Sequence, residues 1–183
     1  TWKYLAESGV NTVLAPVYWE LIEPEEGRYD FSTVDYLLKS ARANGQKLIL
    51  LWFGSWKNSM SCYAPSWVKR GFNSEFELAA NSDGSIPEII SAFSERNVRA
   101  DAKAFASLMK YVRKADGSEG TVIMVQVENE IGMLGDARDH SKLAQNAYNS
   151  PVPYDMMYML TSGKANDHIN DVWKAAGKAT TGS

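Results

Sequence analysis

An apolar run, Val125-Gln126-Val127, leads straight into two carboxylates flanking an amide, Glu128-Asn129-Glu130, followed by Ile131-Gly132. Strands do not carry acids in this way for stability. In a parallel α/β fold the C-terminal strand ends carry the catalytic groups, so this run would aim Asn129 and Glu130 into a shared mouth. A carboxyl buried there is held protonated by desolvation and donates a proton to a leaving oxygen. Glu130 is the candidate general acid. On a regular strand Glu128 and Glu130 share one face with Cβ atoms roughly 7 Å apart. Two acids on one rigid strand point the same way, whereas acetal hydrolysis needs carboxylates on opposite sides of the bond. Glu128 therefore reads as a support behind Glu130. The competing structural reading is that these acids form ion pairs with nearby Arg or Lys, or cap the following turn.

Two further strand ends are dense in aromatic and polar residues. One reads Tyr18-Trp19-Glu20-Leu21-Ile22-Glu23-Pro24-Glu25-Glu26-Gly27-Arg28-Tyr29-Asp30-Phe31; the other reads Trp52-Phe53-Gly54-Ser55-Trp56-Lys57-Asn58. Rings beside carboxylates suit sugars, whose C–H faces stack on aromatics while their hydroxyls take hydrogen bonds. For each tryptophan alone, core packing explains its presence equally well. Competing chemistries lack their markers. No G-x-G-x-x-G or G-x-x-x-x-G-K-[ST] follows a strand, and neither G-x-S-x-G nor H-E-x-x-H occurs. One cysteine, Cys62, with His140 and His168 makes no cluster at metal-ligand spacing, so neither a metal nor another cofactor is expected.

The elements that must position these groups are legible. Asn11–Val17, Lys47–Phe53 and Thr121–Val127 are nearly continuous apolar runs, as expected of parallel strands covered on both faces. Each follows a helix-like segment that closes on a glycine, Gly9, Gly45 or Gly117. The middle helix has Val34, Leu37, Leu38 and Ala41 on one face, with Ser32 read as its N-cap and Phe31 as a staple against Tyr36. Another helix spans about Ala102 to Ala115, with Phe105, Leu108, Met109 and Val112 on one stripe. A last one carries Ile169, Val172, Trp173 and Ala176. This alternation implies right-handed βαβ crossovers and a parallel sheet. Residues 54–99 form a long loop after the second strand, on the face where such folds hold ligands.

On these residues the chain resembles the retaining (β/α)8 glycoside hydrolases, and within them the family 35 β-galactosidases. Trp19-x-x-x-Glu23-Pro24-x-x-Gly27-x-Tyr29-Asp30-Phe31 is similar to a signature shared by families 35 and 42. Val125-Gln126-Val127-Glu128-Asn129-Glu130-Ile131-Gly132 is similar to the V-Q-V-E-N-E-Y-G motif of family 35, with Ile131 in place of Tyr. The resemblance implies an α/β fold, a partial TIM (β/α)8 barrel covering about strands 2–4 with their helices. It implies Glu130 as general acid/base, Asn129 on the sugar 2-hydroxyl, and cleavage of terminal β-galactosides. The loop after the second strand departs from the family 35 pattern, so Trp56, Lys57 and Asn58 are the natural substitutes for its sugar contacts. The alternatives are a family 42 β-galactosidase, another β-glycosidase or β-glycanase of the clan, or a noncatalytic carbohydrate-binding relative stacking sugars on Trp19, Trp52 and Trp56.

A barrel of eight βα units usually takes roughly 250 residues, and this chain has 183. No glutamate follows Glu130, and no aspartate after it follows an apolar strand, so the nucleophile of a retaining pair is expected elsewhere in a longer parent. The chain then reads as one internal fragment of the catalytic domain, residues 1–183, inactive alone, with the remainder of the barrel as its partner. Exposed strand edges are expected at both ends of its sheet. The net charge of −3, from 19 basic and 22 acidic residues without a basic cluster, disfavours nucleic acid. No apolar run reaches the length of a membrane span, and a carbohydrate is the expected partner. An extracytoplasmic bacterial setting, periplasmic or secreted, is implied by the resemblance alone.

Overall fold

The computed structural model describes residues 1–179, which fall into two compact units, 1–141 and the segment from Lys142 onward. The first unit contains α1 (Trp2–Glu7), β1 (Thr12–Tyr18), α2 (Trp19–Ile22), α3 (Ser32–Ala43), β2 (Lys47–Phe53), α4 (Ser66–Arg70), α5 (Glu95–Asp116) and β3 (Val122–Val127). The second contains α6 (Lys142–Tyr148), α7 (Tyr154–Thr161) and α8 (Asp167–Ala175).

The three strands form one parallel sheet in the order β1-β2-β3. Tyr18 lies opposite Phe53 and Trp52 opposite Val127, so all three C-terminal ends come out side by side. This is the α/β arrangement of part of a TIM-barrel wall. A register shift against β2 between Leu48 and Ile49 makes β3 irregular near its start.

Alternation sends Ala15 and Val17 of β1 and Leu48, Leu50 and Trp52 of β2 into the core. Val34, Leu38 and Ala41 from α3 meet them, as do Ala104, Leu108 and Val112 from α5. Both strand edges are open among the described residues. On β1 Leu14 is exposed, and on β3 so are Ile123, Met124 and Val127. The expectation that every strand is covered on both faces therefore fails at Leu14 of β1 and along β3.

Three local expectations are corrected. Ser32 is the first helical residue of α3, not its cap; its amide donates to Asp30 Oδ1 at 2.8 Å, so Asp30 satisfies the helix start. Phe31 stacks on Tyr111 with ring centroids 4.2 Å apart, while Tyr36 pairs edge-on with Trp2. The stretch after β2 is ordered, carrying α4 and burying Ala64, Val68, Phe76 and Ile90, and α5 begins at Glu95 instead of near Ala102.

The junction into β3 is fixed by charge. Asp116, at the end of α5, accepts from the Thr121 and Val122 amides at 3.0 and 2.9 Å and from Arg42 of α3 at 2.8 Å. In the second unit, Asn166 caps α8 through Ile169 N at 2.9 Å, and the Ile169 and Val172 stripe remains exposed.

Candidate active site

The site is built where β2 and β3 end. β3 stops at Val127, and both Glu128 (φ 62°) and Glu130 (φ 50°) adopt left-handed backbone conformations. Strand alternation is thereby broken, and the two acids part company. Opposite them, Asn58 (φ 53°) and Ser59 (φ 55°) in the loop after β2 do the same. Six non-glycine residues with positive φ occur among the described residues, and four are gathered here. Each costs about 1–2 kcal/mol, and such strain collects where function requires it.

The two strained turns are locked together. The Ser59 amide and hydroxyl both donate to the Glu130 carbonyl, at 3.1 and 3.0 Å. The Asn58 amide approaches Asn129 Oδ1 at 3.4 Å. Lys57 Nζ lies 5.1 Å from the centre of the Phe53 ring and bonds to Asn58 Oδ1. Trp56 is half-buried; its indole donates to Ile90 O at 3.2 Å. Its ring lines a cavity of about 320 Å³ together with Phe93, Ile131 and Arg138. The structure thus sets Asn58 against Asn129 and Ser59 against Glu130, with Lys57 and Trp56 preceding them on the same loop.

Trp19 and Trp52 do not join them. Both are fully buried, with Trp19 Nε1 donating to Glu23 Oε2 at 2.9 Å and Trp52 Nε1 to Asp101 Oδ1 at 2.8 Å. A ring without accessible surface cannot stack on a sugar, so the platform role is withdrawn for these two. The burial expected of Glu130 is corrected as well: its side chain is exposed, and the carboxyl that turns inward, half-buried, is that of Glu128.

Glu128 turns inward between β2 and α5, accepting from the Ser55 and Trp56 amides at 3.1 and 2.8 Å. Burial, then the neighbouring Asp101 carboxyl, pushes its pKa up to about 9, against the opposing pull of those two amides. A helix starting near Ala102 leaves out Asn97 and Asp101, which the observed α5 carries as partners of Ser55. The available signal was an acid on the apolar stripe of an amphipathic helix, since Asn97, Ala100, Asp101, Ala104 and Leu108 all face inward.

A second set of acids, also unforeseen, pins the segment after Glu130 to the loop after α4. Asp139 accepts from Ala80 N at 3.1 Å and Ser91 Oγ at 2.6 Å, Asp136 accepts from Ser82 N at 2.7 Å, and His140 N donates to Ala80 O at 2.8 Å. These bonds form the wall of the cavity beside Trp56. Among the described residues no group of three or more His, Cys, Asp or Glu is placed to hold a metal ion, and no helix is long and apolar enough to cross a membrane.

The chain is 31% identical over 164 residues to a beta-galactosidase of Xanthomonas manihotis, covering 86% of the chain and 25% of that relative. It is 26% identical over 133 residues to the beta-galactosidase LacZ of Heyndrickxia coagulans, covering 71% and 18%. The chain thus spans a quarter or less of the length of these curated relatives. Among solved structures, a catalytic mutant of Gan42B, a GH42 beta-galactosidase from G. stearothermophilus, superposes with a TM-score of 0.60 at 20% identity, over 96% of this chain and 23% of that one. The catalytic domain of a beta-amylase from Paenibacillus polymyxa gives 0.60 at 14% identity, over 94% and 45%. These likenesses establish the fold as part of a (β/α)8 barrel.

The resemblance to family 35 is corrected at the level of family, while the wider glycosidase grouping stands. With residues 1–176 matching the family 42 profile, described as beta-galactosidase, the chain belongs to glycoside hydrolase family 42.

Proposed function

We propose that this chain supplies the acid/base side of the active centre of a retaining β-galactosidase. Glu130 protonates the glycosidic oxygen and then, as a carboxylate, activates the water that releases the sugar. The carrying observation is that Asn129 and Glu130 sit at the C-terminal end of a parallel strand, in a strained turn bonded to the facing loop. A carboxyl that must approach a leaving oxygen gains from a backbone that cannot drift.

Asn129 contacts the sugar next to the bond being broken, and Trp56, Lys57 and Asn58 line the same mouth from the β2 side. The chain acts as one piece of the catalytic domain, about strands 2–4 of the barrel, and its partner is a carbohydrate. A retaining pair needs its carboxylates about 5–5.5 Å apart. We assign the nucleophile to the part of the relatives' length that this chain does not span.

The test is Glu130→Gln in the full-length protein. Hydrolysis of galactosides with poor leaving groups falls by a factor on the order of a thousand, while activated aryl galactosides lose far less in the sugar-transfer step, because only the former need the proton. Equal losses on both would show that Glu130 is not the acid. Sugar binding without turnover in the unmodified protein would favour the noncatalytic reading.

A further inference from the structure

We infer that Glu128 and Asp101 share a single proton, and that this carboxyl–carboxylate pair is the positioning device that holds the β2 loop against the strand end bearing Glu130.

The geometry comes from three elements. From β3, Glu128 Oε1 and Oε2 take the Ser55 and Trp56 amides. From α5, Asp101 Oδ2 takes the same Ser55 amide at 2.8 Å and also the Ser55 hydroxyl, while Oδ1 takes the Trp52 indole at 2.8 Å. One N–H is therefore shared between two carboxyl groups. Glycine at position 54 permits this approach: a Cβ there would stand 2.5 Å from Glu128 Oε1 and 2.6 Å from Asp101 Oδ2. With both oxygens within hydrogen-bond distance of the one Ser55 N–H, a pair holding one proton between them is favoured over two ionised carboxylates.

Among the described residues, the surroundings supply no cation to offset a second negative charge. The groups facing the pair are the Trp52 indole, the Ser55 hydroxyl and amide, the Trp56 amide and the Asn97 side chain, which donates to Ser55 Oγ at 2.8 Å. Among the described residues no Lys, Arg or His lies within ion-pair distance of either carboxyl. Among the described residues, the proton is thus the positive charge available between them. Burial and the Asp101 charge both favour Glu128 as its holder. Held this way, the Ser55–Trp56 turn is fixed at both amides, and it leads through Lys57 into Asn58 and Ser59, which grip Asn129 and the Glu130 carbonyl.

The sign of the pH effect follows. A group whose folded pKa is raised contributes stability that is fully present below its ordinary carboxylate value and is lost as pH rises through the folded value. In the full-length protein, the urea midpoint should carry a component that declines from about pH 5 to about pH 9. Glu128→Gln retains a donor toward Asp101 and an acceptor for an amide without a titrating proton. That variant should lose the declining component, together with a protonated-carboxyl C=O band in the infrared difference spectrum at neutral pH.

The activity arm rests on the proposed function. Glu128→Gln should keep kcat within about threefold, whereas Glu128→Ala should lower it about tenfold or more. An unchanged pH slope with no loss of the carboxyl band would overturn the shared proton. A Gln variant as slow as the Ala variant would overturn the positioning role. If Glu130→Gln instead shows no acid defect, the functional assignment fails, while slope and band still decide the pair.

Discussion

Ser59 grips the Glu130 carbonyl oxygen twice, with its backbone N–H at 3.1 Å and its hydroxyl at 3.0 Å. Both residues lie in the left-handed region, so the pair fixes the backbone of the proposed acid from across the mouth. Ser59→Ala keeps the amide bond and loses the hydroxyl bond, which costs about 0.5–1.5 kcal/mol. The expected result is a small drop in urea midpoint with a larger loss of kcat, about threefold to tenfold, because the misplacement occurs at the reacting carboxyl. A stability loss without any change in kcat would assign Ser59 to the fold alone.

How far the sequence reveals this arrangement differs from element to element. The three strands, the α3 face and the strand-ended Asn129–Glu130 follow from apolar runs and helical spacing, since those patterns reflect burial directly. Trp19 and Trp52 escape such reading because a buried tryptophan and a sugar-stacking one look alike until their surroundings are known. That Glu128 and not Glu130 turns inward is invisible to strand alternation, because positive φ at both acids ends the alternation at Val127. Asp101 and Ser59 lie 27 and 71 residues from the acids they serve, and no local pattern links positions so far apart.

Glu23 explains why the first motif pairs Trp19 with a glutamate four residues on. It is buried, accepting from Trp19 Nε1 at 2.9 Å and the Gly27 amide at 2.7 Å, while its carbonyl accepts from Trp67 Nε1 at 3.0 Å. Glu23→Ala leaves two buried or half-buried donors unmet and should cost about 2–4 kcal/mol in urea unfolding. The KM of the protein that remains folded should stay near the unmodified value, since Trp19 has no accessible face. A large KM increase would return Trp19 to the sugar site.

Gly54 is required for space, not for backbone freedom. A Cβ there would collide with Trp52 Nε1 and stand 2.5 and 2.6 Å from the two carboxyl oxygens. All three atoms are engaged in the buried network and have little room to withdraw. Gly54→Ala should therefore destabilise by about 3 kcal/mol, the upper end of overpacking costs, measured as a shift in urea midpoint. An unchanged midpoint would mean that the junction of β2 and α5 is looser than these distances allow.

Asp116 predicts an acid limb in stability. Burial tends to raise its pKa, but bonds from the Val122 amide, Arg42, and Thr121 outweigh that and hold the carboxyl below the usual carboxylate range. A lowered folded pKa contributes stability that is present above the ordinary carboxylate value and lost as pH falls through the folded one. Asp116→Asn should lower stability by about 1–3 kcal/mol at neutral pH, leaving Arg42 with a weaker partner. The same variant should unfold with a shallower dependence on acid. Equal acid slopes in the two proteins would exclude this carboxylate as a source of the limb.

Asp139 should control the shape of the cavity beside Trp56 without touching the chemistry. It bonds to Ala80 N and Ser91 Oγ on one loop and to Ser141 N at 2.6 Å on its own segment, so one side chain ties the two walls. Asp139→Ala releases the segment that carries Ile131 and Arg138, both of which line that cavity. In the full-length protein, limited proteolysis should open a new cut within residues 131–141, because a segment that has lost its anchoring bonds samples open conformations more often. KM should rise about threefold to tenfold for galactosides whose leaving group is large enough to reach Trp56, with kcat for small aryl galactosides changing less, since Glu130 keeps its own anchor at Ser59. A matched fall in kcat for both substrate sizes would place Asp139 in the support of the acid instead of the cavity wall.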